Sequence, residues 1–369
     1  MDLSLSPAQQ ILQQSARSFL QQRCPIERVQ ELALDARGFA ADLWKEIAAL
    51  GWTGLLVPSE LGGGDGSVGD AVTLLEELGR ACVPSPFVAS AVVAVSALAA
   101  AGGPRARTLL PALTQGERVC TLAVLEESGR LDPSALAMPI AAPGRLDGHK
   151  LFVPDAHVAT DVIVLGRGPA GPTAILLPMD RAGIEAHALE SMTGDKLFEL
   201  AFTGVETRPD DVLGVPGRGW ALMAPAFRLG ALARSAEMVG AAQRVLELCL
   251  EHARVRTQGG RPIGSYQAVQ HACADLFRDV ESARWLTWEA AWRLETRQPD
   301  GDAAVATAKA YAAEAALRVA RRGHQIMGAI GYCEEHPLHL FHKRILAASS
   351  DMGDAELHLE TVATALGLR

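Results

Sequence analysis

The side chains that could do chemistry gather at a few places in the chain. Asp351 and Asp354, in Asp351-Met352-Gly353-Asp354, offer carboxylates for general-base work or for capping a helix. Arg254, Arg256 and Arg261 form a basic group that suits a phosphate or pyrophosphate, and equally a solvated face. Glu237 lies in the apolar stretch ARSAEMVGAAQ and needs a cation there, with Arg234 and Arg228 in reach. His336, His339 and His342 recur every three residues, which on a helix would bring imidazoles to one face. Pro337 breaks the first turn and no second ligand cluster accompanies them, so no metal site is expected. Gly64 to Gly69 fits G-x-G-x-x-G by count, but SELGGG before it is no buried strand. A dinucleotide loop needs strand, turn and helix in that order, so this string reads as a glycine-rich connector.

The elements that must position these groups follow from composition and texture. The 369 residues suggest two or three domains, and 49% apolar with 21% charged residues fits a folded globular chain. Lys plus Arg number 34 against 43 Asp plus Glu, a net charge of −9, which disfavours a nucleic-acid protein held by phosphate neutralisation. The six cysteines are scattered without a C-x-x-C pair and read as buried, reduced thiols. MDLSLSPAQQ lacks the basic-then-apolar pattern of an export signal, so the expected location is cytoplasmic. The most apolar run, Phe87 to Ala101, falls short of the roughly 18 residues that span a bilayer and reads as a buried helix.

Apolar residues at spacings of three and four predict an α-helical domain over 1–117. Short β-branched runs such as VCTLAVL, TDVIVLG and FELAFTGV, set between Gly, Pro and Asp clusters, predict a β domain over 118–214. Long apolar helical stretches return over 215–369 and predict a helical bundle. The class is mainly α with a central β domain.

Three strings together resemble the acyl-CoA dehydrogenase family, and the resemblance runs over nearly the whole chain. They are GWTGLLVPSELGGGDGS at 51–67, RVRTQGGRPIGSYQAVQHACADL at 254–276 and HQIMGAIGYCEEHPLHLFHKR at 324–344. The resemblance implies an N-terminal helical domain, a small β-barrel-like domain and a C-terminal four-helix bundle, assembled as dimers or tetramers with FAD between subunits. It implies removal of the α proton of an acyl-CoA thioester by a carboxylate and transfer of the β hydride to flavin N5, leaving a trans-2-enoyl product. The resemblance also implies that the thioester oxygen is held by the flavin ribityl hydroxyl and by the backbone N–H of the base residue. Electron-transfer flavoprotein is the implied electron acceptor.

Carried over residue by residue, the resemblance makes Arg256 the clamp on a neighbouring subunit's pyrophosphate. Gln267 closes that signature, and Gln325 and Gly328, with Ala329 in place of a second glycine, form the segment that also reaches the neighbour's FAD. Gly259 stands where the family carries Phe. The residues facing the chain's own flavin depart further. Leu125-Glu126-Glu127 replaces a Thr-Glu-Pro string and Phe152-Val153-Pro154 a Trp-x-Thr string, so Leu125 and Pro154 stand where hydroxyls are usual. Glu126 and Phe152 remain as a loop carboxylate and an aromatic wall. Met352, beside Gly353, occupies the position of the catalytic Glu, and the alternative base position, near Gly230, holds no carboxylate either.

The residues contributed across an interface are thus present and those facing the chain's own flavin ring and base are missing. This pattern resembles the base-less partner in heteromeric bacterial acyl-CoA dehydrogenases of steroid side-chain and dicarboxylate degradation, in which a second dehydrogenase subunit supplies the base. Two other readings stay open. One is an active homo-oligomeric enzyme that uses Asp351 on a CoA or carrier-bound thioester, and the other a non-catalytic flavoprotein of the alkylation-response type. The charge of −9 speaks against the DNA binding of the last.

Overall fold

The computed structural model describes residues 3–368. In chain order the helices are α1 (Pro7–Arg23), α2 (Ile26–Leu34), α3 (Ala41–Ala49), α4 (Val68–Arg80), α5 (Val95–Ala101) and α6 (Gly103–Thr114). Strands β1 (Cys120–Ala123), β2 (Gly144–Pro154), β3 (Asp161–Gly168), β4 (Gly171–Pro178), β5 (Ile184–Leu189) and β6 (Leu197–Thr207) follow. Then come α7 (Gly219–Val255), the hairpin β7 (Thr257–Gln258) and β8 (Arg261–Pro262), α8 (Gln267–Glu295), α9 (Gly301–Met327), α10 (Leu338–Ser350) and α11 (Ala355–Ala365). The order of helices, strands and helices is the expected one, and the class is mainly α with a central β segment.

Local chemistry sets the ends. Ser6 caps α1, accepting the Gln9 N–H while the Gln9 side chain accepts the Ser6 N–H, and Pro7 supplies a preset first turn. Pro337 precedes α10 and Asp354 caps α11. The run from Phe87 is helical and buried, its first part to Ala94 wound with π-type turns before α5. No helix among the described residues is long and apolar enough to cross a membrane.

The chain forms two compact units. One gathers the N-terminal residues through Leu34, Val68–Val83 and the chain from Ala231 onward. In it α8 and α10 pack on α9, α9 meets α7 where Gly323 faces Val245, and α4 lies on α8. Two glycines let α4 and α7 touch: a methyl on Gly240 would sit 1.9 Å from the Glu76 carbonyl oxygen, and one on Gly79 2.1 Å from that of Glu237. Gly240→Ala therefore has to push two backbones apart. The expected loss is about 2–3 kcal/mol, the upper part of the usual overpacking range, and is read as a lower denaturant midpoint. An unchanged midpoint would show that the crossing yields freely.

The other unit holds Asp35–Ser67 and Pro84–Gly230. Its strands make two three-stranded sheets, β1-β3-β4 with β1 parallel to β3, and the antiparallel β2-β6-β5. Leu146, Val164, Ile175, Leu200, Phe202 and Val205 fill one shared core. The sheets have no ladder in common, so the β-barrel-like expectation is met by two open sheets over one core and not by a closed barrel. Asp211, 1% exposed, ties the end of this segment down by pairing with Arg105 and Arg181 and accepting the Arg208 N–H at 2.8 Å.

Candidate functional site

The loop between α10 and α11 carries the residues around the missing base. Met352 sits in the left-handed region at φ 57°, a conformation that costs about 1 kcal/mol or more for a residue with a side chain. The Asp351 carboxylate is spent twice. Its Oδ2 accepts from Arg234 Nε at 2.7 Å, and its Oδ1 accepts the N–H of Met352 at 2.9 Å. Arg234 also donates through Nη1 to Glu237 Oε2 at 2.5 Å. The Arg234–Glu237 pair foreseen in the sequence thus has a third arm. Burial works against the Arg234 charge, but Glu237 and then Asp351 outweigh it and hold the guanidinium above its ordinary value.

Below the same loop lies Lys309, fully buried, whose Nζ donates to the carbonyls of Ser349 at 2.9 Å and Gly353 at 2.7 Å. Burial pulls the Lys309 ammonium down to about 8, with Asp351 opposing. His358 Nε2 lies 2.9 Å from the Met352 carbonyl, and burial holds its ring below the usual histidine range. Asp354 caps α11 by accepting the Leu357 N–H at 2.9 Å. Every polar group around Met352 is therefore committed to holding the loop.

The residues read as reaching across an interface are on the surface of their unit. Arg256 follows α7, and Gln267 opens α8; between them β7 and β8 form a two-residue hairpin closed by Gly259 and Gly260. Gly259 lies at φ 60°, and a Cβ there would stand 2.5 Å from the Tyr266 hydroxyl. The phenylalanine usual at this position is excluded by that turn. Arg261 is spent on the Tyr266 ring, at 4.0 Å from its centroid. Gln325 is in the last turn of α9, Gly328 ends that helix at φ 65°, and Ala329 lies in the following 3-10 turn. The side chains of Arg256, Gln267 and Gln325 are exposed and make no hydrogen bond among the described residues. No hydrogen bond joins the Arg256 hairpin to the Gln325 turn there either.

In the other unit Leu125, Phe152 and Pro154 gather where β2 bulges beside β1. The Leu125 carbonyl accepts the Leu151 N–H at 2.9 Å, and the Pro154 carbonyl accepts the Thr121 hydroxyl. The bulge puts Phe152 at φ 55° with 47% of its surface exposed. Glu126 turns inward and is structural. It accepts from the N–H groups of Ala137 at 2.9 Å and Met138 at 3.1 Å and from Lys150 Nζ at 2.7 Å. Burial raises and these donors lower its pKa, and the donors prevail.

Lys150, Lys309 and His324 are functional or structural groups that the sequence reading passed over. Strand alternation was the signal for the first, since Lys150 shares the parity of the buried Leu146. Helical spacing was the signal for the second, since Lys309 follows Val305 by four residues. Among the described residues no group of three or more His, Cys, Asp or Glu is placed to hold a metal. Cys24, Cys82, Cys120 and Cys249 are buried as expected, whereas Cys333 is exposed.

For a flavin these two faces differ. Arg256, Gln267 and Gln325 present unspent donors on an open surface, which suits a pyrophosphate or sugar held chiefly by another chain. Leu125 and Pro154 present no side-chain donor to a ring on this chain's own side, and Phe152 only an apolar wall.

The comparisons with known proteins bear on this geometry. The family profile "Acyl-CoA dehydrogenase, N-terminal domain" matches residues 6–117, and "Acyl-CoA dehydrogenase, C-terminal domain" matches 217–367. The chain is 30% identical to the acyl-CoA dehydrogenase FadE27 of Mycobacterium tuberculosis, over 92% of each protein. It superposes on a chain of the ChsE4-ChsE5 complex of the same organism with TM-score 0.91 at 28% identity, over 100% of each. It superposes on a chain of the Tcur3481-Tcur3483 steroid ACAD with TM-score 0.88 at 28% identity, over 98% of each. The chain belongs to the acyl-CoA dehydrogenase family of flavoproteins.

Proposed function

We propose that this chain is the base-less subunit of a heteromeric FAD-dependent acyl-CoA dehydrogenase, which takes an acyl-CoA thioester to its trans-2-enoyl-CoA. The observation that carries the reading is the Asp351 carboxylate. Its two oxygens already accept from the Arg234 guanidinium and from a backbone N–H, so the carboxylate is engaged in holding the loop and not presented to an α proton. The N–H it takes is that of Met352, the donor which, at the base position, would hold the thioester oxygen. Base and backbone donor are thus both withdrawn, and Arg234 places a cation between α7 and the loop instead.

The chain's own contribution is binding and orientation. Arg256 would hold the diphosphate of the partner's FAD, and Gln267, Gln325 and the open backbone at Gly328 and Ala329 would support it. When bound, FAD supplies the hydride acceptor. Phe152, with Leu125 and Pro154, would close the chain's own ring-facing side as an apolar wall. The likeness to two heteromeric assemblies supports a partner dehydrogenase subunit, and one of them is titled a steroid enzyme, so steroid side-chain thioesters are the first substrates to try. Electron-transfer flavoprotein is the acceptor that the family implies.

The test is flavin content and activity. Expressed alone, the protein is expected to carry well under one FAD per chain and to oxidise no acyl-CoA with a ferrocenium acceptor. Co-expressed with a neighbouring dehydrogenase gene, it is expected to co-purify as a yellow, active complex. Activity of the chain alone that disappears in Asp351→Asn would overturn this reading and establish the homo-oligomeric enzyme.

A further inference from the structure

The histidine run is not absorbed by this function. Pro337 keeps His336 outside α10, so only His339 and His342 lie on the helix. His342 does not meet its sequence neighbours: its Nδ1 lies 3.0 Å from Nε2 of His324. His324 immediately precedes Gln325 in the last turn of α9, is 6% exposed, and packs with its centroid 4.9 Å from the Tyr332 ring. Its Nδ1 is buried with no hydrogen-bond partner among the described residues. Its carbonyl accepts the N–H of Gly328, the residue that ends the helix. One residue therefore fixes both sides of the turn from Gln325 to Tyr332, the ring through His342 and Tyr332 and the backbone through Gly328.

The proton count in this contact is restricted. Two ring nitrogens at 3.0 Å share one proton, one donating and the other accepting. A proton added to one ring goes to its outer nitrogen and leaves this bond in place, whereas charging both rings sets two N–H groups head to head. The groups around the pair are Arg321 on α9, His336 and His339 on the α10 side, and His252 on α7, whose charge acts on His336. Glu334 and Glu335 offer backbone carbonyls, the former to His339 Nε2 at 3.1 Å and to Gln30 of α2, the latter to Gln30 at 3.3 Å.

We propose that His324 and His342 are positioning residues for the flavin-facing turn, holding it through one shared proton and releasing it when acid charges both rings. The proposal rests on the reading of Gln325, Gly328 and Ala329 as a segment that reaches the partner's FAD. Burial first holds both rings below their ordinary values, with the Gly331 backbone opposing it at His324 and neighbouring positive charge adding to it at both. The released turn binds protons more readily than the closed one. The contact is therefore intact at neutral pH and weakens as pH falls through the ordinary histidine range near about 6.5.

The experiment is amide hydrogen exchange over residues 325–332 of the full chain from pH 7.5 to 5.5, corrected for the intrinsic pH dependence, alongside FAD release from the co-purified complex. Opening of the turn in the wild type is expected to rise several-fold over that range, and FAD release to rise with it. His342→Gln keeps a neutral polar group without titration and is expected to flatten both curves; His324→Gln is the second variant, with the same expectation. A flat wild-type curve, or the same slope in both variants, overturns the histidine device. Opening that follows pH while FAD release stays flat leaves the device standing and overturns the assignment of the turn to the partner's flavin.

Discussion

Arg256→Ala, in the chain co-expressed with its partner, is expected to weaken FAD retention by the complex about 10- to 100-fold. A hydrogen bond to a charged group is worth about 1.5–3 kcal/mol, and each 1.4 kcal/mol is a factor of ten. The substitution should leave the thermal midpoint of the chain alone unchanged. Arg256 is exposed, and its guanidinium makes no hydrogen bond or ion pair among the described residues, so nothing in the folded monomer depends on it. Arg256→Lys keeps the charge but not the planar fork, and should fall between the two. Equilibrium dialysis of FAD from the complex, with the melting curve of the free chain as control, reads both parts. Full FAD retention by Arg256→Ala would remove the cross-subunit role. A lowered midpoint of the free chain would make the residue structural instead.

The exposed Arg256 and Gln325 were legible because signatures of short range carry them: the string fixes the type of residue, and the hairpin or helix end that displays it is local. The alternation of helix and strand texture was legible for the same reason, since apolar spacing is a local property. What the sequence hid is long-range. Asp351 and Arg234 are 117 residues apart, and only the packed chain brings the loop after α10 against α7. Asp351 read from sequence alone was a candidate base; its two hydrogen bonds turn it into a latch. Glu126 reads in the sequence only as a loop carboxylate, because Lys150, its buried partner, stands in a strand where a lysine is usually expected to face water. The left-handed backbone at Phe152 and Met352 leaves no trace in composition, since neither residue type favours it.

The second large effect is expected at Arg234. Arg234→Met fills much the same volume but leaves Glu237, whose side chain is 10% exposed, and Asp351, 35% exposed, without their cation. Breaking a buried pair by removing one partner costs about 3–5 kcal/mol, and the half-exposed Asp351 places this case near about 3. In the wild type Arg234 is held above its ordinary value and stays charged at every pH where the protein is folded. Adding Glu237→Gln removes one orphaned charge in place and should recover part of the loss. Urea midpoints of the single and double variants test this. No recovery in the double variant would assign the loss to packing and not to the ion triad. Even the rescued double variant is expected to stay inactive alone, because releasing Asp351 from Arg234 leaves it hydrogen-bonded to the Met352 N–H, one residue away from the base position.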